Sequence, residues 1–214
     1  MSSDEILEII KNKKPKLIYI SGKTSTGKST FSKNLRDQCG YSVVDLGEVV
    51  FKSVIEPFSA DPAEAFITVY RDTEPKEYVN TFVRATKDAI LSKLDFSPVV
   101  VEGAIAKSRI LKEIFSGEIG NFMFIYFHPI NHDKYAQRIK QRFMDGAENN
   151  TTDLPKLFWF FIDQSDLEKF IKTKILSKEL NEAINRYASI SMEESKERLK
   201  HFQKNFAEIN IIEI

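Results

Sequence analysis

Apolar positions along the chain follow two distinct rhythms, and the alternation between them predicts the fold class. Short strand-like segments occur at Leu17 to Ile20, Tyr41 to Leu46, Val99 to Val101, Asn121 to Phe127 and Ile209 to Ile214, continuous in apolar residues at Leu17 to Ile20 and Val99 to Val101. Runs of this length, rich in β-branched and aromatic residues, are what strands buried on both faces of a parallel sheet require. Between them the apolar residues recur at helical spacing. Ile6, Leu7, Ile9 and Ile10 predict a first helix that Pro15 ends, Phe31 and Leu35 a second one running to a C-cap at Gly40, and Val49, Val50, Phe51 and Val54 a third. Tyr78, Phe82, Ala85, Ala89, Ile90 and Leu94 predict a helix over Lys76 to Leu94, with further helices over Arg109 to Phe115, Asn131 to Phe143, Asp166 to Tyr187 and Met192 to Phe206. Glu56 to Pro75, with Pro57, Pro62 and Pro75, reads as a connecting segment. Its Phe58, Phe66, Tyr70 and Arg71 fit either a substrate-side loop or ordinary packing. Leu157 to Ile162, which holds the only Trp, is the most hydrophobic segment and reads as core, with a lid hinge and a partner surface as the other readings. Strands alternating with helices predict an α/β domain whose chain ends inside its sheet.

The first strand runs into Gly22-Lys23-Thr24-Ser25-Thr26-Gly27-Lys28-Ser29-Thr30, which fits G-x-x-x-x-G-K-[ST] at every fixed position. A loop wrapped round a phosphate must turn successive backbone N–H groups inward, and Gly22 and Gly27 permit the angles and close approach that this needs. Lys28, at the start of the following helix, can reach the β- and γ-phosphates, and the Ser29 hydroxyl is placed to ligate Mg²⁺. Thr24, Ser25, Thr26 and Thr30 complete the expected contact set for a nucleoside triphosphate.

Ligands of open α/β sheets gather at the carboxyl ends of the strands, so acids there are candidates for chemistry. Asp45 ends the second strand and reads as an acceptor of the substrate proton, or else as the cap of the next helix; Glu48 follows it as a further substrate candidate. Glu102 ends the third strand and reads as a Mg²⁺ ligand, direct or through water, with Gly103 letting the backbone pass close to substrate. Arg71 and Arg84 are candidates for gripping an anionic substrate. Arg138 and Arg142, four apart on one helix face, are candidates for closing over the triphosphate. His128 and His132 are also four apart, but Pro129 interrupts a helix across them and no third ligand is near, so they read as ordinary loop residues.

Composition narrows the field of partners. Lys plus Arg and Asp plus Glu each number 31, so no large field draws the protein to nucleic acid or an anionic membrane. The single cysteine, Cys39, excludes an internal disulfide framework and fits a reducing compartment. The amino terminus lacks the pattern of a signal peptide and no apolar run approaches bilayer length, so a soluble cytoplasmic protein is expected. A length of 214 residues suits one domain, with 146–191 as a helical lid or insertion.

Taken together, these segments resemble the P-loop kinases of small molecules, the group that holds uridine kinase and the nucleoside monophosphate kinases. The phosphate loop at Gly22 to Thr30 carries the resemblance most specifically. Val43-Val44-Asp45-Leu46-Gly47-Glu48 is similar to the group's acidic strand-2 end, Val99 to Gly103 to its strand-3 segment, and Arg138 to Arg142 to its lid arginines. The resemblance implies a three-layer P-loop NTPase fold with five parallel strands in the order 2-3-1-4-5. It also implies transfer of the γ-phosphoryl of ATP, with Mg²⁺, to a small acceptor, most plausibly a nucleoside or nucleotide. A regulatory NTPase or a nucleotide-binding interaction protein are the alternatives. The chain has no Asn-Lys-x-Asp base-reading motif of a GTPase, and Glu102 is followed by Gly103 where a motor-type Walker-B pair would place a second acid.

Overall fold

The computed structural model describes residues 1–119, 122–148, 169–170, 172–173 and 175–214. Helix α1 (Ser3–Lys13) leads to β1 (Leu17–Gly22), α2 (Lys28–Cys39) and β2 (Ser42–Asp45). Helix α3 (Leu46–Val50) runs on through a π-helical turn at Phe51–Ile55, and α4 (Pro62–Arg71) and α5 (Lys76–Leu94) precede β3 (Val99–Glu102). Helix α6 (Ser108–Ile114), β4 (Met123–His128), α7 (His132–Glu148), α8 (Lys178–Asn205) and β5 (Asn210–Glu213) complete the order. The five strands form one sheet, all neighbours parallel, in the order β2-β3-β1-β4-β5.

Alternation along the strands divides the core into two layers. Tyr19, Val101, Phe124 and Tyr126 face one way, onto residues of α3 to α6 and onto Leu199 and Phe202 of α8. Ile18, Ile20, Val100, Ile125 and Phe127 face the other way, onto Ile6 and Ile10 of α1 and Phe31 and Leu35 of α2. A third cluster, away from the sheet, packs Tyr135, Ile139 and Phe143 of α7 against Leu180, Ile184 and Tyr187 of α8. Together these make the three-layer P-loop NTPase fold, with all strand carboxyl ends on one edge.

Two expectations are corrected. The proline-rich stretch after α3 is not an irregular connection: Asp61 accepts from the amides of Ala63 (2.9 Å) and Glu64 (3.0 Å), and Pro62 opens a regular α4. Proline in a first helical turn lacks only an N–H that has no intrahelical partner, so here it starts a helix instead of breaking one. The last two helices are also not separate, because Lys178–Asn205 is continuous. Ala188 to Ser191 contains no Gly or Pro, and the Ser189 hydroxyl donates back to Asn185 O at 3.1 Å, so its polarity is satisfied within the helix. That helix begins at an N-cap, Ser177, whose Oγ accepts from the Leu180 amide, and Ile175 before it is exposed. Leu157 to Ile162, with Trp159, and most of the expected insertion at 146–191 lie outside the described residues. Among the described residues no helix is long and apolar enough to cross a membrane.

Candidate active site at the strand carboxyl ends

The loop between β1 and α2 is shaped by backbone that most residues avoid. Gly22 has φ +143°, and a Cβ there would stand 2.6 Å from the Phe127 carbonyl oxygen on β4. Ser25 (φ 59°) and Gly27 (φ 97°) are also left-handed. Gly27 caps α2 without a side-chain hydrogen bond, leaving the first amides of that helix to face the loop. Lys28 Nζ and Thr26 Oγ1 both donate to the Lys23 carbonyl, at 2.6 and 2.7 Å, and hold the curve.

Lys28 is where the electrostatics converge. Burial pushes its ammonium down to about 8; the charges of Glu102 and Asp45 oppose the shift, and those of Arg142 and Arg198 add to it. Strand register explains the two acids, since Glu102 pairs with Ile20 on one side and Asp45 on the other. Glu102 is buried and its Oε2 accepts from Ser32 Oγ at 2.6 Å, one helical turn beyond Lys28. Asp45 is exposed and caps α3, its Oδ1 accepting from the Gly47 amide at 2.7 Å. Capping and catalysis are therefore compatible, for among the described residues Oδ2 makes no hydrogen bond.

Helix α7 covers the loop with one face. Tyr135 OH donates to Thr24 O (3.0 Å), Arg138 Nη1 to Thr26 O (3.3 Å) and Arg142 Nη1 to Thr24 Oγ1 (2.9 Å). A cleft of about 380 Å³ lies between them, lined by Ser25, Gly27, Lys28, Ser29, Thr30, Arg138, Gln141, Arg142 and Asp145. Ser25 Oγ is buried and has no hydrogen-bond partner among the described residues.

The remaining expected residues divide. Arg71, at the end of α4, has Nη2 3.9 Å from Glu194 Oε1, and Glu194 is ion-paired with Lys23 of the loop. The structure does not bring Glu48 or Arg84 into this set. Glu48 is exposed and bonded to Lys52 Nζ (2.6 Å), one turn along the same run, and Arg84 is exposed on α5 and joins none of the contacts around the loop. Gly103 serves packing, contrary to its expected role beside substrate: a Cβ would meet Leu46 Cδ1 at 2.6 Å and Cβ at 2.7 Å, so the glycine lets β3 seat against the start of α3. Of the two histidines, His128 Nδ1 meets Ser195 Oγ at 3.0 Å and His132 Nε2 meets Ser189 Oγ at 3.0 Å.

Sequence reading passed over Lys23, Ser32, Tyr135, Glu194 and Arg198. Two of these had a local signal. Ser32 stands four residues after Lys28, and Tyr135 three before Arg138, on the same helix faces. Glu194 and Arg198 had none, because nothing local tells which face of a long helix meets the loop.

The donor set fits a magnesium-bound triphosphate. Inward amides, Lys28, the unpartnered Ser25 Oγ and the α7 arginines suit phosphate oxygens, while the Ser29 hydroxyl and the Glu102 carboxylate are hard oxygen ligands suited to Mg²⁺. Fold and loop place the chain in the P-loop class. The sequence matches no family model and resembles no curated protein. Among solved structures it is similar to a shikimate kinase from Acinetobacter baumannii in complex with shikimate, at 13% identity over 90% of this chain and 95% of that one, with a TM-score of 0.35.

Proposed function

We propose that the protein is an ATP-dependent phosphotransferase that moves the γ-phosphoryl group to the hydroxyl or phosphate oxygen of a small acceptor, a nucleoside or nucleotide being the first candidate. The observation that carries this reading is the pair Asp45 and Glu102 on adjacent strand ends beside Lys28, with α7 arginines over the loop. A switch NTPase has no need of a second strand-end carboxylate oxygen such as Asp45 Oδ2, which makes no hydrogen bond among the described residues.

In the reaction, an acceptor oxygen forms a bond to the γ-phosphorus as the bond to the β,γ-bridging oxygen breaks. ADP leaves with that electron pair, and where the acceptor is a hydroxyl Asp45 takes its proton, whereas an ionised phosphate oxygen attacks without giving one up. Lys28 and the loop amides hold the β- and γ-phosphates, and Arg138 and Arg142 neutralise charge on the donor as it shifts. Ser29 and Glu102 would hold Mg²⁺, which would supply charge screening to the phosphate oxygens. Ser32 keeps the Glu102 carboxylate oriented toward the loop.

ADP release measured with and without a panel of nucleosides, nucleotides, sugars and pantetheine-type acceptors tests the reading. Stimulation by one acceptor, lost in Lys28→Ala with the fold intact by circular dichroism, is the expected result. Hydrolysis indifferent to every acceptor would assign the site to a regulatory NTPase, and binding without turnover to a nucleotide-dependent interaction protein.

A further inference from the structure

The cations around the loop fall into two groups. Arg138 and Arg142 belong to the cleft over Lys28 and Ser29. Lys23 and Arg71 meet elsewhere, on a single carboxylate, with Arg198 close by. Glu194 is ion-paired with Lys23, lies 3.9 Å from Arg71 Nη2, and shares a face of α8 with Arg198 one turn along, whose Nη1 donates to Ala104 O at 3.0 Å just past β3. This group lies by the carboxyl end of β3, since Ala104, the partner of Arg198, stands two residues after Glu102.

Charge and exposure are unequal within the group. Two cations pair with Glu194 and the charge of Arg198 also acts on it, and the Lys23 side chain is only 11% exposed whereas Glu194 is 45% and Arg71 59% exposed. A desolvated ammonium needs an anionic partner, but a carboxylate half open to water is held by an ion pair of modest strength and is exchangeable. The cluster is therefore an anion site with a counter-ion of its own.

We propose that Lys23, Arg71 and Arg198 form an oxyanion subsite for the acceptor, closed by Glu194 until the acceptor displaces it. The inference rests on the phosphotransferase reading and narrows it: the acceptor carries a carboxylate or a phosphate monoester besides the oxygen that is phosphorylated. Glu194 then acts as a specificity residue, since a neutral acceptor cannot replace it on Lys23.

The full chain, saturated with Mg²⁺ and a non-hydrolysable ATP analogue to fill the phosphate loop, is titrated by calorimetry with inorganic phosphate in one arm and acetate in the other. Glu194→Gln is expected to tighten at least one of them about fivefold over the parent, the scale of one part-exposed ion pair. The arm that responds names the group, and a response in both assigns a general oxyanion site. Adding Arg71→Ala to Glu194→Gln is expected to remove the gain. No gain in either arm, or a gain that survives Arg71→Ala, overturns the subsite. Analogue binding in each variant reports folding, and its failure in the parent counts against the phosphotransferase reading itself. Arg71→Ala alone gives a second measure: it is expected to raise KM for whichever anionic acceptor stimulates ADP release, with little change in kcat, and an unchanged KM overturns the proposal.

Discussion

Lys28 has to be a cation in a place that disfavours one. Its ammonium is depressed, chiefly by burial, from 10.5 to about 8, so in the window between those values the unfolded chain binds a proton that the folded protein does not. Stability contributed at this position consequently rises with pH across that window, and a bound triphosphate, by restoring the ammonium, takes the proton up again. Calorimetry of ATP binding near pH 9 in buffers of different ionisation enthalpy should register uptake approaching one proton, and Lys28→Met should abolish it. Asp45 caps α3 and, in the proposed reaction, accepts a proton, and one substitution separates the two. Asparagine caps a helix as well as aspartate does but accepts no proton, so Asp45→Asn should keep the melting temperature and lower kcat by about a hundredfold or more. At Gly103 the demand is steric: Gly103→Ala drives a methyl into Leu46, and denaturant titration should show a loss of about 1–3 kcal/mol. A sequence marks both Gly22 and Gly103 as special, but only tertiary neighbours show the packing demand at each, Phe127 beside Gly22, whose φ of +143° also favours glycine, and Leu46 beside Gly103.

At the scale of the elements, periodicity located nearly every helix and strand, and the failures share one cause. A proline reads locally as a break, yet Pro62 follows a capping aspartate, and the cap decides. Ser189 and Ser191 read as a pause between helices, yet burial of Ser191 along the α8 stripe carries the helix through. Long-range pairing also fixes how elements meet. Arg109 of α6 grips Asp72, the left-handed cap of α4, in a two-bond fork with Nε to Oδ2 and Nη2 to Oδ1 both at 2.6 Å. That hydrogen bonding, outweighing burial, holds Asp72 at about 2 against 3.8 in the free side chain. Its stabilisation is complete above the unfolded value and fades as pH falls through the folded one. Arg109→Ala should therefore cost about 1 kcal/mol at neutral pH, with the difference from the parent closing below about pH 4 in acid titrations followed by fluorescence.

For the whole molecule, the site exists because three separate parts meet: the strand edge, the loop and a helix pair packed away from the sheet. Helix α7 reaches the loop only because its other face, Ile139 and Phe143, is buried against α8, with Tyr135 packed there by its ring and bonded to the loop by its hydroxyl. Ligand binding should thus stabilise the assembly as one unit. Mg²⁺ and ATP at about 100 times Kd should add roughly 2.7 kcal/mol, or about 5–10 °C in Tm, and Lys28→Ala should lose most of that shift. The sequence by itself determined the parallel sheet, its order by resemblance, the phosphate loop and the strand-end acids, because periodicity and the loop motif are local patterns and local patterns survive in one dimension. Tertiary structure alone decided that Glu48 stays with Lys52, that Gly103 packs on Leu46, and that Glu194 and Arg198 come from 171 and more residues downstream to meet Lys23. Those contacts depend on which face of a helix turns inward, and that choice is made by the packing of the whole chain.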